Sequence, residues 1–250
     1  MLRLAILILA LAMPAKAEEV VAALSQNQIS ITTNFDGSEI LIFGAVNREE
    51  AIPDTPLDII VTVAGPSQAV TVRRKDRRFG IWVNTDSVEV DEAPSFYAVQ
   101  TSAPFGDAVK DVEDLRHRIS VPKAIRLVGA PMAVADAAEF TRALIRIRKD
   151  QGLYQVNESA VDVSDSTLFQ TRVALPANLV EGQYNTRIFL ARQGEIVSLY
   201  ETAIDVRKVG LERILYALAH ERPLIYGLLS LAIAIFAGWG ASAAFRVLQR

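Results

Sequence analysis

Basic residues fill five of the six positions from Arg73 to Arg78, and Trp82 follows them after a short Phe-Gly-Ile stretch. Guanidinium and ammonium groups beside an indole ring can bind a small anion, an acidic protein surface or phospholipid headgroups. The same charges are also typical of a solvated connection between two β-strands, where they discourage edge-to-edge pairing. The candidate contact residues are Arg73, Arg74, Lys75, Arg77, Arg78 and Trp82.

Few residues in this chain could support catalysis. The two histidines are His117 and His220, and neither has a second histidine three or four residues away. There is no HExxH pattern and no cysteine, which removes the usual zinc, thiol-nucleophile and disulfide arrangements. Asp162 and Asp165 lie beside two serines without the spacing of a calcium loop, so that stretch predicts a turn. We therefore expect a noncatalytic protein with no cofactor and no metal site.

The first 17 residues, MLRLAILILALAMPAKA, have the three-part pattern of a secretory signal peptide. Their apolar run is only about half of the ~20 residues that a bilayer-spanning helix needs. We expect cleavage between Ala17 and Glu18, and the alternative is an uncleaved amino-terminal anchor. Export would place the bulk of the chain in the periplasm.

A second apolar segment lies near the carboxyl terminus. Leu224 to Phe245 carries no charge, and as a helix of about 33 Å it would cross the hydrocarbon core. We predict a transmembrane helix over residues 223–245 in the inner membrane and a cytoplasmic tail over residues 246–250. Small residues recur four apart in this span and would let a second helix approach closely. These candidate interface residues are Ala234, Gly238, Gly240, Ala241 and Ser242.

The segment between the two apolar stretches is acidic. Residues 18–222 contain all 29 acidic residues but only 22 of the 26 basic ones, which gives this segment a formal charge of −7. Nucleic-acid binding depends on a basic face that neutralises phosphates. We therefore expect no nucleic-acid partner.

Short runs of β-branched and aromatic residues, separated by turn residues, predict strands on both sides of a helical middle segment. The predicted fold is mainly β: immunoglobulin-like antiparallel β-sandwich lobes with a helical middle segment and one C-terminal transmembrane helix. We place the first lobe at residues 18–103, the helical segment at 104–151 and the second lobe at 152–208. An amphipathic juxtamembrane helix is predicted at residues 209–222. The alternative to two lobes is a single sandwich with a helical insertion.

Two local predictions concern the basic cluster and the middle helix. The cluster is expected to connect two strands, with Trp82 buried in the second of them. The middle helix is expected to be capped by Asp136 and ended by Gly152, and its late basic residues suit the helix dipole. Its apolar stripe consists of Phe140, Ala143, Leu144 and Ile147.

Two more predictions concern the second strand-rich segment. Gln193-Gly194 between two alternating runs predicts a tight hairpin. Tyr184 follows a stretch with proline and glycine, which is typical of an aromatic residue that closes one end of a sandwich core.

Five stretches of the sequence carry a resemblance to a known family. They are VTVRRK, GIWVN, APSFYAVQTS, EFTRALIRIRKDQGLY and LYALAHERPLIYGLLSLAIAIFAGWGA. Together they resemble an alphaproteobacterial family of transmembrane proteins of unknown function, over nearly the whole mature chain. The resemblance implies an exported β-rich domain on a single C-terminal span, with no catalytic residues to carry over. It also implies that such proteins are often encoded beside a sulfite-exporter-type permease, which makes that permease the expected integral membrane partner.

Two functions from different classes remain open. The first is a noncatalytic accessory or interaction protein of the inner membrane, which holds a periplasmic β domain beside a transporter or envelope assembly. Its partner would be an integral membrane protein. The second is an exported module that binds a small anion or a sulfur compound near the basic cluster and Trp82.

Overall fold

The computed structural model describes residues 18–32, 35–48, 53, 55–127, 137–209 and 211–248. The predicted signal peptide and the predicted capping residue Asp136 lie outside these ranges. The described chain divides into two units, of which the first runs up to Ile29 and from Asp36–Val206. The second unit consists of Ser30–Phe35 and Arg207–Arg250. Each unit is described by itself.

Twelve strands are found among the described residues. They are β1 (Glu19–Leu24), β2 (Gln28–Ile31), β3 (Ser38–Asn47), β4 (Leu57–Ala64), β5 (Ser67–Arg78), β6 (Ile81–Pro94), β7 (Tyr97–Thr101), β8 (Tyr154–Asn157), β9 (Asp162–Ser164), β10 (Leu168–Leu175), β11 (Gly182–Arg192) and β12 (Glu195–Lys208). The helices in the same ranges are α1 (Phe105–Ala108), α2 (Asp111–His117), α3 (Val121–Ala124), α4 (Ala137–Asp150), α5 (Leu211–Glu221) and α6 (Pro223–Leu248). The fold is mainly β, as the sequence predicts.

The strands form three sheets. One sheet has the order β1-β3-β10-β9, a second has the order β2-β12-β11-β4-β7-β8, and β5 pairs with β6 alone. β7 and β8 pair in parallel, whereas the pairs β1–β3, β3–β10, β10–β9, β12–β11, β11–β4, β4–β7 and β5–β6 are antiparallel. Period-two alternation is clear in β10, which buries Phe169, Thr171, Val173 and Leu175 and turns the residues between them outward.

Strands from both predicted lobes share the two larger sheets. In the four-stranded sheet β10 pairs with β3, and in the six-stranded sheet β11 pairs with β4. The prediction of two separate lobes is therefore wrong for the described residues, because strands of both predicted lobes pair with each other in the same sheets. The physical reason is that strand alternation reports which face of a strand is buried, whereas it does not report which distant strand lies beside it.

The helical segment is held on one face of the six-stranded sheet. The Tyr97 hydroxyl donates to the carbonyl oxygen of Ile119 at 2.8 Å, and the Arg187 guanidinium donates to the His117 carbonyl oxygen at 2.8 Å. Both side chains come from the same face, because Tyr97 and Arg187 lie two pairing positions apart along β4. Burial raises the pKa of the Tyr97 phenol, so this hydroxyl stays a donor at neutral pH.

The hairpin predicted for the second strand-rich segment is confirmed. Gln193 and Gly194 have φ angles of 51° and 77° between the paired residues Arg192 and Glu195, the geometry of a two-residue type I′ turn. The buried Tyr184 ring lies 6.0 Å from Phe96, and its hydroxyl donates to the Val180 carbonyl oxygen at 2.8 Å.

The second unit contains the apolar carboxyl-terminal helix. α6 begins at Pro223, and only Arg222 separates it from the end of α5 at Glu221. A proline at this position matches the preference of proline for the first helical turn. Within α6, Pro223–Ser242 is long and apolar enough to cross a membrane, and none of it is buried in the described structure. The predicted single C-terminal span is therefore present as one helix.

Candidate functional site: a basic β-hairpin arm

The basic cluster lies in a long two-stranded arm that interrupts the six-stranded sheet. β4 and β7 are neighbours in that sheet, with Ala64 opposite Tyr97, and the arm formed by β5 and β6 is the connection between them. At the base of the arm the Gly65 amide donates to the Phe96 carbonyl oxygen at 2.8 Å. A Cβ atom on Gly65 would lie 2.6 Å from the Ser95 hydroxyl oxygen, so only glycine allows the strands to approach this closely.

The turn of the arm is Phe79-Gly80, and the basic residues precede it within β5. Arg78 pairs with Ile81, and the two residues between them have φ angles of 52° and 85°. Two positive φ angles identify a type I′ turn, the connection that matches the twist of paired strands. The prediction that the cluster itself is the connection is therefore wrong, because its side chains alternate along a paired strand.

Trp82 is also not where the sequence predicts. Its side chain is 68% exposed, Ile81 is 64% exposed, and Phe79 is fully exposed at the turn. We call Phe79, Ile81 and Trp82 the apolar tip of the arm. The prediction of a buried tryptophan is wrong because the start of β6 extends past the part of the arm that α4 covers. Successive side chains still point to opposite faces of the strand there, but both faces are open to solvent.

The core of the arm lies nearer its base. Val72 and Val88 are paired and buried, and Phe140 and Leu144 of α4 are buried beside the arm as their helical spacing predicts. Ile147, predicted to belong to the same stripe, is 45% exposed, and Arg148 is buried in its place.

Arg148 fixes the carboxyl end of α4 to the arm. Its guanidinium donates to the Ser95 carbonyl oxygen at 2.7 Å and lies 5.7 Å from the centre of the Tyr154 ring. The Tyr154 hydroxyl donates to the carbonyl oxygen of Pro94, and burial raises the pKa of Tyr154 to about 12. Gly152 follows with a φ angle of 71°, which confirms the predicted helix end.

Arg74 differs from the other cations of the cluster. Its guanidinium lies 4.8 Å above the Phe140 ring, 3.6 Å from a Glu139 carboxylate oxygen and 3.9 Å from an Asp86 carboxylate oxygen. Arg74 therefore contributes to the packing of α4 on the arm through a cation–π contact with Phe140 and an ion pair with Glu139, whereas its ion pair with Asp86 lies within the arm.

A basic groove lies between the arm and α4. It has a volume of about 660 Å³, and its charged lining residues are Arg73, Arg74, Lys75, Arg142, Arg146 and Glu139. Glu139 is held by Arg74 and by Arg142, whose guanidinium nitrogen lies 3.8 Å from the carboxylate. Five cations against one carboxylate can stabilise an anion by charge.

Arg142 and Arg146 are the functional candidates that sequence reasoning missed. The interpretation by the helix dipole covers the basic residues of α4 together, although Arg142 and Arg146 precede the last turn of α4. That interpretation does not show what the helix packs against. Once α4 lies on β5, the two arginines face the same groove as Arg73 and Lys75. A signal in the sequence was their spacing of four, which places both on one helix face.

The histidines and acids considered for catalysis have structural contacts. The Nε2 atom of His117 lies 3.4 Å from a Glu113 carboxylate oxygen, and its ring contacts Phe189 edge-on at 5.7 Å. The His220 ring stacks on Tyr216 at 4.0 Å. Asp165 has a φ angle of 49°, in keeping with the predicted turn. Over the part of the chain that the structure describes, no group of three or more His, Cys, Asp or Glu residues could hold a metal ion.

The small residues of the span do not all lie on one side of α6. At 100° per residue, Ala234, Gly238 and Ala241 form one stripe and Ser242 lies at its margin, whereas Gly240 is on the opposite side. A Cβ atom on Gly238 or Gly240 would meet no described atom within 4 Å.

Comparison with known proteins gives two results on relatives. No curated protein matches the chain. Among solved structures, it is similar to the sporulation control protein Spo0M from Bacillus subtilis, with 11% identity and a TM-score of 0.27. That match covers 81% of this chain and 54% of the other, so the chain spans about half the length of Spo0M.

The comparison with protein families agrees with the resemblance seen in the sequence. Residues 19–247, nearly the whole described chain, match the family described as "Putative transmembrane protein". Both the β-rich unit and the apolar helix fall within the matched range. The chain therefore belongs to this family of transmembrane proteins.

Proposed function

We propose that this chain is a noncatalytic accessory protein of the inner membrane, with its β unit in the periplasm and its span bound to an integral membrane partner. A sulfite-exporter-type permease is the candidate partner. The observation that carries the proposal is α6, an apolar helix whose Pro223–Ser242 segment is not buried against the rest of the described chain. A stripe of small residues on such a helix lets another helix approach to backbone contact.

The noncatalytic part of the proposal is supported by the contacts of the titratable residues. His117 is engaged by Glu113 and Phe189, and the Asp114 carboxylate accepts hydrogen bonds from Ile119 and Ser120. These groups stabilise the helical segment on the sheet rather than converge on an open cavity. The periplasmic location is supported by the signal-peptide pattern of the first 17 residues.

The two glycines of α6 offer a matched test of the partner. Gly238→Ile fills the stripe formed with Ala234 and Ala241, whereas Gly240→Ile adds the same volume on the opposite side of the helix. Tagged chains are purified from native membranes in mild detergent, and copurifying proteins are identified by mass spectrometry. We expect a polytopic membrane protein with the wild type and with Gly240→Ile, and its loss with Gly238→Ile.

Two results would overturn this proposal. One is a native preparation that contains this chain alone. The other is a polytopic partner that is retained equally by both variants, since the stripe would then have no role.

The basic groove favours a second function, the binding of a small anion or sulfur compound. Four of its cations, Arg73, Lys75, Arg142 and Arg146, converge from two elements on one open cavity. We expect calorimetry of the full chain in detergent to detect sulfite, sulfate, thiosulfate or phosphate at millimolar concentration. Arg142→Gln with Arg146→Gln would abolish that heat. The absence of heat for all four anions would contradict this function.

A further inference from the structure

At the tip of the arm, a bulky apolar residue has a positive φ angle and an exposed side chain, and the packing of the fold requires neither. Phe79 has a φ angle of 52° and is fully exposed, and its neighbour Gly80 has a φ angle of 85°. Asparagine and glycine adopt positive φ readily, whereas bulky residues rarely do. A large apolar side chain in a disfavoured conformation and without buried contacts indicates a role outside the chain.

The other two apolar side chains lie at the same end of the arm. Ile81 and Trp82 are paired with Arg78 and Arg77, and no residue from Lys75 to the turn is buried. These last four residues of β5 extend for about 13 Å. Most backbone N–H and C=O groups at the tip are already hydrogen-bonded between the two strands of the arm. The tip therefore presents apolar side chains on a backbone that needs few further hydrogen bonds.

A collar of basic residues surrounds the apolar tip. It consists of Arg73, Lys75, Arg77 and Arg78, with Asp76 as the acidic member, 3.8 Å from the Arg78 guanidinium. This charge contrasts with the formal charge of −7 of residues 18–222. Phe79 lies at the turn, Ile81 and Trp82 are level with Arg78 and Arg77, and Lys75 and Arg73 lie nearer the base of the arm. Because an arginine side chain can keep its guanidinium at the phosphates while its stem lies beside apolar groups, this arrangement suits the boundary between acyl chains and phosphates at a bilayer surface.

The size of the tip favours a bilayer over a folded protein as its partner. A specific protein interface buries about 800 Å² on each side, and a fully buried aromatic residue contributes only about 150–250 Å². Three side chains at the end of a narrow arm fall short of that area, whereas a bilayer accepts an isolated apolar tip. A bilayer is also the expected surroundings of this chain, because the chain belongs to a family of transmembrane proteins and its α6 is long and apolar enough to cross a membrane.

We propose that the tip of the arm inserts into the interfacial region of an anionic bilayer, with Phe79, Ile81 and Trp82 below the phosphates and with Arg77 and Arg78 bound to them. The arm is thus a second membrane contact besides the span. This inference does not depend on the partner proposed for α6, because its test uses the purified chain.

The test uses the full chain with Trp239→Phe, which leaves Trp82 as the single tryptophan. The protein is reconstituted into phosphatidylcholine vesicles with or without phosphatidylglycerol, and emission is compared between ordinary and shallowly brominated lipids. We expect bromine quenching of Trp82 that is stronger with phosphatidylglycerol. Phe79→Asn is expected to abolish the quenching while the thermal unfolding temperature is kept, because asparagine suits the positive φ angle.

Charge variants and a matched control complete the experiment. Arg77→Gln with Arg78→Gln is expected to lower the ratio of inserted to free tip by about fivefold for each charge removed. Leu115→Asn, which changes an apolar residue 62% exposed on α2, is expected to leave the quenching unchanged.

Three outcomes would overturn the proposal. In the first, iodide in the aqueous phase quenches Trp82 fully and brominated lipid has no effect. In the second, Phe79→Asn retains full bromine quenching. In the third, Trp82 is protected only as protein concentration rises, with no effect of bromine, which would identify a second copy of the chain as the partner.

Discussion

Glu18 is held by two arginines that come from distant parts of the chain. Arg192 donates to the carboxylate at 2.7 and 3.0 Å, and Arg48 donates at 2.6 Å. The side chains of all three residues are largely covered. Since the predicted cleavage makes Glu18 the first residue of the mature chain, this network would fix the mature amino terminus to β3 and β11.

Glu18→Gln is expected to reduce the free energy of unfolding at pH 7 by about 2 kcal/mol, because it removes charge-assisted hydrogen bonds. The hydrogen bonds from Arg192 hold the pKa of Glu18 below its ordinary value of 4.5. A lowered folded pKa means that the stabilisation is present above pH 4.5 and is lost as pH falls through the folded value. The difference from wild type should therefore shrink below pH 4.5, measured by thermal unfolding in detergent.

Glu39→Gln is the matched control for that experiment. Glu39 also faces an arginine, Arg172 at 3.4 Å, but both side chains are more than half exposed. Exposed ion pairs contribute little, so we expect almost no change in stability. Equal stability of Glu18→Gln and wild type at pH 7 would contradict the role assigned to the network.

At the scale of elements, the two type I′ turns differ in what surrounds their glycines. A Cβ atom on Gly194 would lie 2.8 Å from the Lys110 Cγ atom and 3.2 Å from its amide nitrogen, which donates to the Gly194 carbonyl oxygen. A Cβ atom on Gly80 would meet nothing within 4 Å. The first turn is therefore part of the packing against α2, whereas the second is free at the tip of the arm.

Substitution of these glycines separates conformational strain from steric conflict. Gly80→Ala should reduce stability by only about 1 kcal/mol, the usual cost of a left-handed conformation for a residue with a side chain. Gly194→Ala should lose more, because the conflict with Lys110 adds about 1–3 kcal/mol of overpacking. Denaturant unfolding monitored by circular dichroism measures both, and a larger loss for Gly80→Ala would contradict the packing described at Gly194.

Elements that depend on neighbouring residues were predictable from the sequence, and contacts between distant segments were not. The turn at Gln193-Gly194 and the end of α4 at Gly152 follow from glycine at positive φ. The turn at Phe79-Gly80 was missed because phenylalanine rarely takes that conformation. Six consecutive charged residues, Arg73 to Arg78, are also typical of a loop, although β5 pairs through all of them.

The candidate site was predictable only in part for the same reason. The cations of β5 were identified from their density in the sequence. The sequence does not show that Arg74 differs from the other cations of β5. Arg74 packs on Phe140 of α4, whereas the others are exposed, and this difference depends on the position of α4. The contribution of Arg142 and Arg146 to the groove likewise requires that α4 lie on the arm, which no local pattern reports.

At the scale of the whole molecule, the charges and apolar groups are unevenly distributed. The β-rich segment is acidic, and its basic arm exposes an apolar tip. The carboxyl-terminal helix is apolar along Pro223–Ser242. The apolar tip of the arm and α6 are both flanked by arginine. In the proposed arrangement both contact the membrane, and the acidic remainder of the chain lies in water.

The proposed orientation predicts that the two ends of the mature chain lie on opposite sides of the inner membrane, because one span separates them. The chain has no cysteine, so a single introduced cysteine gives an unambiguous label. Gln26→Cys lies in an exposed position of the β-rich unit, and Gln249→Cys lies in the predicted tail. With an impermeant maleimide on intact spheroplasts, we expect labelling of Gln26→Cys alone and labelling of Gln249→Cys only after lysis. The reverse pattern would place the arm and its basic groove in the cytoplasm, and labelling of both sites before lysis would contradict a single span.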